Sequence, residues 1–238
     1  MECKIICMIP KKFLFALHHE KIEEDLNEFH KDIVKDIDIS EDKYLLMLDG
    51  INVTKRIHKL PFEGFKKFFE ILNDAVEAYL NDPKYNKNIL FAYVINDEIY
   101  FSIKVGKDSK ITTAYKLISF YLSSFSVYIN DYFKKNHYVF VDNDFILFDA
   151  KLYKLGIDRL KDFISLRQST SILCNIEHLY KLDKNYYNNN KSKQYYYDHY
   201  AYNDEINNFL LGTYFAKKDH RFKRLFISLK NSNYTRRR

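Results

Sequence analysis

The sequence predicts an α+β fold: an antiparallel sheet built from β-hairpins, with amphipathic helices packed on it and a basic helix at the C-terminus. Three observations carry this. Short β-branched and aromatic runs come in pairs around polar turns, helical periodicities of three and four follow those pairs, and nothing resembles the long β-α-β alternation of a parallel sheet. With 238 residues, 47% hydrophobic and 29% charged, the chain is long enough to bury a sizeable core and lies outside the disordered class.

Taken in order, Cys3 to Ile9 reads as a strand stopped by Pro10. Between Lys11 and Ile33 the residues Phe15, Ile22, Leu26, Phe29 and Ile33 recur at helical spacing. Ile37 to Ile39 and Tyr44 to Leu48, separated by Ser40, Glu41 and Asp42, predict a hairpin. Phe62 to Leu80 is the clearest helix: Phe65, Phe68, Phe69, Leu72, Val76, Tyr79 and Leu80 form one stripe, and Asn81, Asp82 and Pro83 end it. Ile89 to Ile95 and Glu98 to Val105 flank Asn96 and Asp97, a second hairpin. Thr112 to Phe133 is a helix apolar almost all round, with Ser119, Ser123 and Ser126 as a small-residue stripe, and belongs inside a core. A third hairpin is expected at His137 to Val141 and Phe145 to Phe148, turned by Asp142, Asn143 and Asp144. Helices over about Ile157 to Arg167 and Ser171 to Leu182 follow.

These elements make residues 1–182 an α+β core, divisible at 83/84 into two subdomains. Residues 183–202 form a Tyr/Asn-rich loop, with seven tyrosines between Tyr186 and Tyr202 and no apolar periodicity. Residues 203–238 are a helical, basic C-terminal segment in which Phe222, Leu225, Phe226 and Leu229 share one side of a helix over about Lys217 to Lys230.

Composition narrows the function classes. Only five glycines are present, and none can assemble a G-x-G-x-x-G or a G-x-x-x-x-G-K-[ST] loop, which excludes nucleotide binding through those two devices. The 30 lysines against 8 arginines, with abundant Asn, Tyr, Phe and Ile, match A/T-rich codons, such as those of a virus or parasite. Lysine content therefore counts as a nucleic-acid footprint only where it clusters. It does cluster: residues 214–238 hold nine basic residues against one acid, Asp219, whereas residues 1–213 hold 29 against 31. Three cysteines imply no disulfide framework, and no stretch reaches the roughly 20 apolar residues of a membrane span. The chain reads as intracellular, cytoplasmic or nuclear.

Catalytic and metal signals are sparse. Asp142 and Asp144 stand at i, i+2 within Val-Asp-Asn-Asp-Phe, a spacing at which two carboxylates can share a divalent metal. The segment resembles the h-D-x-D-h strand of nucleotidyltransferases, a family that also places a Gly-Ser turn upstream, where this chain has Lys134, Lys135 and Asn136. Hairpin-turn chemistry is the favoured account of both aspartates. Cys3 and Cys7 match a zinc spacing, but on a strand they stand about 13 Å apart, and His18 and His19 fall on a helix face, so no metal or cofactor is expected. The order of elements from Cys3 to Leu80 resembles a KH domain, whose G-x-x-G clamp is replaced here by His18, His19, Glu20 and Lys21. Its grip on a phosphate backbone would be absent.

The strongest signal is the basic end. Lys217, Lys218, Arg221, Lys223, Arg224, Lys230, Arg236, Arg237 and Arg238 predict salt-dependent contact with phosphates without strong sequence preference. The leading expectation is thus a non-enzymatic nucleic-acid-binding protein. A module docking an acidic protein partner is the alternative, and a metal-dependent phosphoryl-transfer enzyme using Asp142 and Asp144 is third.

Overall fold

A computed structural model describes residues 19–35, 38–40, 42–107, 109–136, 145–187 and 212–225. In chain order these form α1 (His19–Glu28) with a 3-10 turn (Phe29–Asp32), β1 (Asp42–Gly50), α2 (Val53–Ile57), α3 (Phe62–Asn81), β2 (Ile89–Ile95), β3 (Glu98–Val105), α4 (Ala114–Lys135), β4 (Phe148–Tyr153), α5 (Ile157–Tyr187), β5 (Thr213–Lys218) and β6 (Arg221–Leu225). The strands make one six-stranded sheet in the order β4-β1-β3-β2-β5-β6. β1 pairs antiparallel with β3 and with β4, β2 with β3, and β5 with β6. The expected α+β class is what the structure has.

The chain divides into two compact units. One comprises Asp32–Leu155 with Tyr214–Leu225, and the other is drawn from Met1–Lys31, Gly156–Thr213 and Phe226–Arg238. In the first, the sheet is covered on one face by α3 and α4. Paired residues share a face, so Leu46, Phe101, Leu48, Ile99, Phe148 and Leu152 form a single apolar surface. Onto it Tyr79 of α3 stacks against Phe101 at 5.8 Å, and Phe125 of α4 meets Phe101 and Phe148 edge-on at 5.4 Å each. Such ring pairs add about 0.5–1.5 kcal/mol each beyond area burial. The Thr113 side chain caps α4 by accepting from the Lys116 N–H at 3.2 Å. In the second unit Phe29 packs edge-on against Phe163 of α5 at 5.1 Å, with Arg159 over the Phe29 ring.

Four expectations change. Residues 38–40 do not form a hairpin with β1: Ile33 bridges Tyr153 and Asp38 bridges Thr113, while β3 and β4 occupy both hydrogen-bonding edges of β1 and leave none for them. Phe145 to Leu147 lie outside any strand and β4 begins only at Phe148; residues 137–144 fall outside the described set. Two short helices after 157 are one, α5, since no breaker separates Arg167 from Ser171. The predicted C-terminal helix is instead the β5–β6 hairpin. Thr213, Phe215 and Phe222 are buried on alternating positions, and Asp219 and His220 turn the chain at φ 51° and 65°, the left-handed pair that a tight hairpin demands. The strand Cys3–Ile9 and residues 188–211 and 226–238 fall outside the described residues.

Candidate active site

On the sheet face opposite α3 and α4, acidic residues gather at the end of β1. Asp49 pairs with Glu98 of β3 on one side and with Asp149 of β4 on the other. Three carboxylates from three adjacent strands therefore stand abreast on one face, with Cβ atoms of neighbours about 4.5–5.5 Å apart. Like charges placed directly opposite destabilise a sheet, so packing alone does not account for the row.

A fourth carboxylate, Asp97, lies in the β2–β3 turn next to Glu98. It is buried, at 5% exposure, and its oxygens accept from the Thr54 hydroxyl at 2.8 Å each and from the Thr54 N–H at 3.0 Å. Its backbone carbonyl accepts from the Gly50 N–H at 3.1 Å. This ties the end of β1, the start of α2 and the hairpin turn into one corner. Gly50 permits the approach: a Cβ there would stand 2.7 Å from Val53 Cγ2 and 3.2 Å from Asp97 Cβ.

Behind the row Tyr100 is fully buried and donates to the Glu98 carboxylate. Burial, reinforced by Tyr153, Tyr93, Asp49 and Asp97, holds its phenol well above the ordinary range. Tyr153 is pushed up to about 12 by burial first, then by Asp149 and Asp49. Both phenols stay protonated near neutrality, and the Tyr100 hydroxyl is a donor aimed at the acidic row.

Among the described residues no three His, Cys, Asp or Glu side chains close into a metal cage. Mg2+ is a hard cation that takes oxygen donors and is commonly held by one or two carboxylates, with waters and substrate phosphates in its other positions. Asp49 and Glu98, opposite one another on β1 and β3, are two carboxylates that could hold such a cation.

Neither protein-family models nor curated protein sequences give a match. Solved structures do. A bacterial tRNA(His) guanylyltransferase (Thg1)-like protein in complex with GTP superposes with a TM-score of 0.59 at 14% identity, covering 90% of this chain and 95% of that one. The same TM-score is found for a bacterial Thg1-like protein in complex with ATP, at 15% identity, with 90% and 96% covered. The tRNA(His) guanylyltransferase of Saccharomyces cerevisiae gives 0.52 at 17% identity, with 85% and 96% covered. The fold is shared with tRNA(His) guanylyltransferases.

This corrects the leading expectation from sequence. These three solved structures are a guanylyltransferase and two guanylyltransferase-like proteins holding nucleotides, which overturns a non-enzymatic main reading. The viral attribution falls as well, because the neighbours are bacterial and yeast proteins and codon bias alone does not name a source.

The residues singled out from sequence are scattered. Asp142 and Asp144 lie outside the described residues, as do Lys230, Arg236, Arg237 and Arg238. Lys217, Lys218, Arg221, Lys223 and Arg224 all fall on the β5–β6 hairpin. Arg224 turns to α3, where it pairs with Asp74 and, at 2.6 Å, with Glu77. No described helix is long and apolar enough to cross a membrane. The carboxylates that do converge went unread as a site. Their local signals were an apolar run ending in Asp49-Gly50 and the acidic turn Asp97-Glu98.

Proposed function

We propose that this chain is a divalent-metal-dependent nucleotidyltransferase that uses a nucleoside triphosphate and acts on RNA. The observation that carries the proposal is the row Asp49, Glu98 and Asp149 with Asp97 at its edge, in a fold shared with guanylyltransferase-like proteins solved with GTP and ATP. A nucleoside triphosphate is polyanionic, so carboxylates alone would repel it. Mg2+ held there would neutralise phosphate charge and support in-line displacement.

The chain's own residues have separable tasks. Asp49 and Glu98, on adjacent strands, would hold the divalent cation, which would supply charge neutralisation for the triphosphate. Asp97, fixed by Thr54, sets the corner that brings the Gly50 backbone close to the row. Tyr100 keeps the Glu98 carboxylate oriented by donating to it. The reaction is transfer of a nucleoside monophosphate: an oxygen of the RNA end bonds to the α-phosphorus, the α–β phosphoanhydride bond breaks, and pyrophosphate leaves with its electron pair. The proton of the attacking group, where it is a hydroxyl, passes to solvent.

Radiolabelled GTP or ATP incubated with the full chain, Mg2+ and a tRNA pool tests this. Label transferred to RNA with matching release of pyrophosphate, and lost with Asp49→Asn, is the expected result. No transfer with any of the four nucleoside triphosphates, in Mg2+ or Mn2+, would overturn it.

A further inference from the structure

The β5–β6 hairpin sorts the basic residues by face. Lys217 stands opposite Phe222, and Phe215 opposite Arg224. These four belong to the α3 side: the Lys217 ammonium lies 5.1 Å from the Phe222 ring, and Arg224 caps Phe215 at 5.9 Å while pairing with Asp74 and Glu77. The other face carries Lys218 opposite Arg221, Lys223 opposite Ala216, and Tyr214 opposite Leu225. Lys218, Arg221 and Lys223 are exposed, and the hairpin's one acid, Asp219, sits in the turn.

That second face is continuous with the carboxylate face. Tyr214 meets Tyr93 at 4.5 Å, Tyr93 pairs with Tyr100, and Tyr100 shares its side of β3 with Glu98. One sheet face therefore runs from an acidic row at β4-β1-β3 to a basic strip at the β6 edge. β6 lies four strand spacings from β1, roughly 19 Å across the sheet. The Lys217 ammonium, 3.4 Å from the Asn86 carbonyl just before β2, sets the hairpin tip toward the start of β2 and away from the Asn96–Asp97 turn.

We propose that Lys218, Arg221 and Lys223 form a phosphate-binding strip for the RNA, seating its backbone at a distance from the reacting end. This rests on the reading that the carboxylate row acts on RNA, and it names the surface that carries that partner. Cross-strand and i, i+2 neighbours on the hairpin stand about 5 to 7 Å apart, so the three cations can engage successive phosphates of one strand. The separation from the carboxylates exceeds the length of a nucleoside triphosphate, so the strip serves the polymer and not the nucleotide. A membrane surface fits less well, since Leu225 is the only large apolar side chain exposed on the described hairpin.

The test is a salt series with the full chain and a single-stranded RNA oligonucleotide, comparing wild type, the triple variant Lys218→Gln/Arg221→Gln/Lys223→Gln, and Lys217→Gln. Mg2+-GTP binding is measured in parallel, and circular dichroism with thermal melts verifies folding. Three lost phosphate contacts at about 0.7 each make the log–log slope shallower by about 2 in the triple variant. Lys217→Gln leaves it within one contact of wild type, and GTP affinity is unchanged in both. A folded triple variant with wild-type affinity and slope overturns the proposal, as does loss of binding to anionic vesicles without loss of RNA binding. If the slope falls as stated but wild type binds no GTP, the strip stands and the nucleotidyl-transfer reading fails.

Discussion

Thr54→Val probes the corner that orders the acidic site. The substitution keeps the side chain's shape and removes the hydroxyl, which reaches both oxygens of Asp97 at 2.8 Å. Asp97 is 5% exposed, so water does not replace the lost donor freely. A hydrogen bond to a charged group contributes about 1.5–3 kcal/mol, and the Thr54 N–H at 3.0 Å remains. For a chain of this size about 1 kcal/mol moves Tm by roughly 2–4 °C, so Thr54→Val melts about 3–12 °C below wild type. Thr54→Ser keeps the donor and falls within about 2 °C of wild type. The assay is a thermal melt followed by circular dichroism, with the three proteins in one buffer. A Val variant within 1 °C of wild type, or a Ser variant as unstable as Val, would refute the claim that this hydroxyl fixes Asp97.

Further outcomes follow from the same geometry. Gly50→Ala forces a Cβ to within 2.7 Å of Val53, and overpacking of this kind lowers stability by about 1–3 kcal/mol in a denaturant melt. Asp49→Asn relieves like-charge pairing with Glu98 and Asp149 and raises Tm in metal-free buffer by up to about 4 °C, from roughly 0.2–1 kcal/mol, while weakening Mg2+-nucleotide binding. Phe222 is 1% exposed, so Phe222→Ala costs about 3–5 kcal/mol and frees the hairpin, measured as faster hydrogen exchange at 213–225. Burial pushes Tyr121, like Tyr153, up to about 12. The unfolded chain ionises these phenols near 10 and the folded chain does not, so their contribution is intact below pH 10. It falls by about 1.4 kcal/mol per pH unit per tyrosine as pH rises towards 12. Tyr121→Phe flattens that alkaline loss.

Elements with long, unambiguous periods were legible. The β2–β3 hairpin matches its predicted runs, and α3 and α4 fall within two residues of theirs, but α4 is not inside a core as expected: it buries one stripe and leaves Tyr115, Phe120 and Val127 exposed. The C-terminal hairpin was misread because Phe222, Leu225, Phe226 and Leu229 satisfy a helical period, while Thr213 and Phe215 on β5 and Phe222 on β6 alternate with less buried neighbours as strand residues do. Its turn residues, Asp219 and His220, adopt positive φ without a glycine to announce it. β4 was missed because its alternation, Phe148, Ala150 and Leu152 against Asp149, Lys151 and Tyr153, is weak beside the stronger apolar run at 145–148.

The site was illegible for a different reason. Asp49, Glu98 and Asp149 are roughly fifty residues apart from one to the next, and only the strand order β4-β1-β3 brings them abreast. Asp142 and Asp144 drew attention because they are close in sequence, which is the one proximity a single chain displays. The glycine deficit still excludes two phosphate-cradling loops. It does not exclude handling a nucleotide through carboxylates and a cation, which needs a single close approach, at Gly50.

The central claim is that the row led by Asp49 holds Mg2+ and, through it, a nucleoside triphosphate. Calorimetric titration of GTP into the full chain tests this most directly, with Mg2+ and with EDTA, for wild type and for Asp49→Asn/Glu98→Gln. The account predicts binding by wild type only when Mg2+ is present and none by the folded double variant. Equal GTP affinity in the two proteins, or binding by wild type indifferent to EDTA, would contradict it.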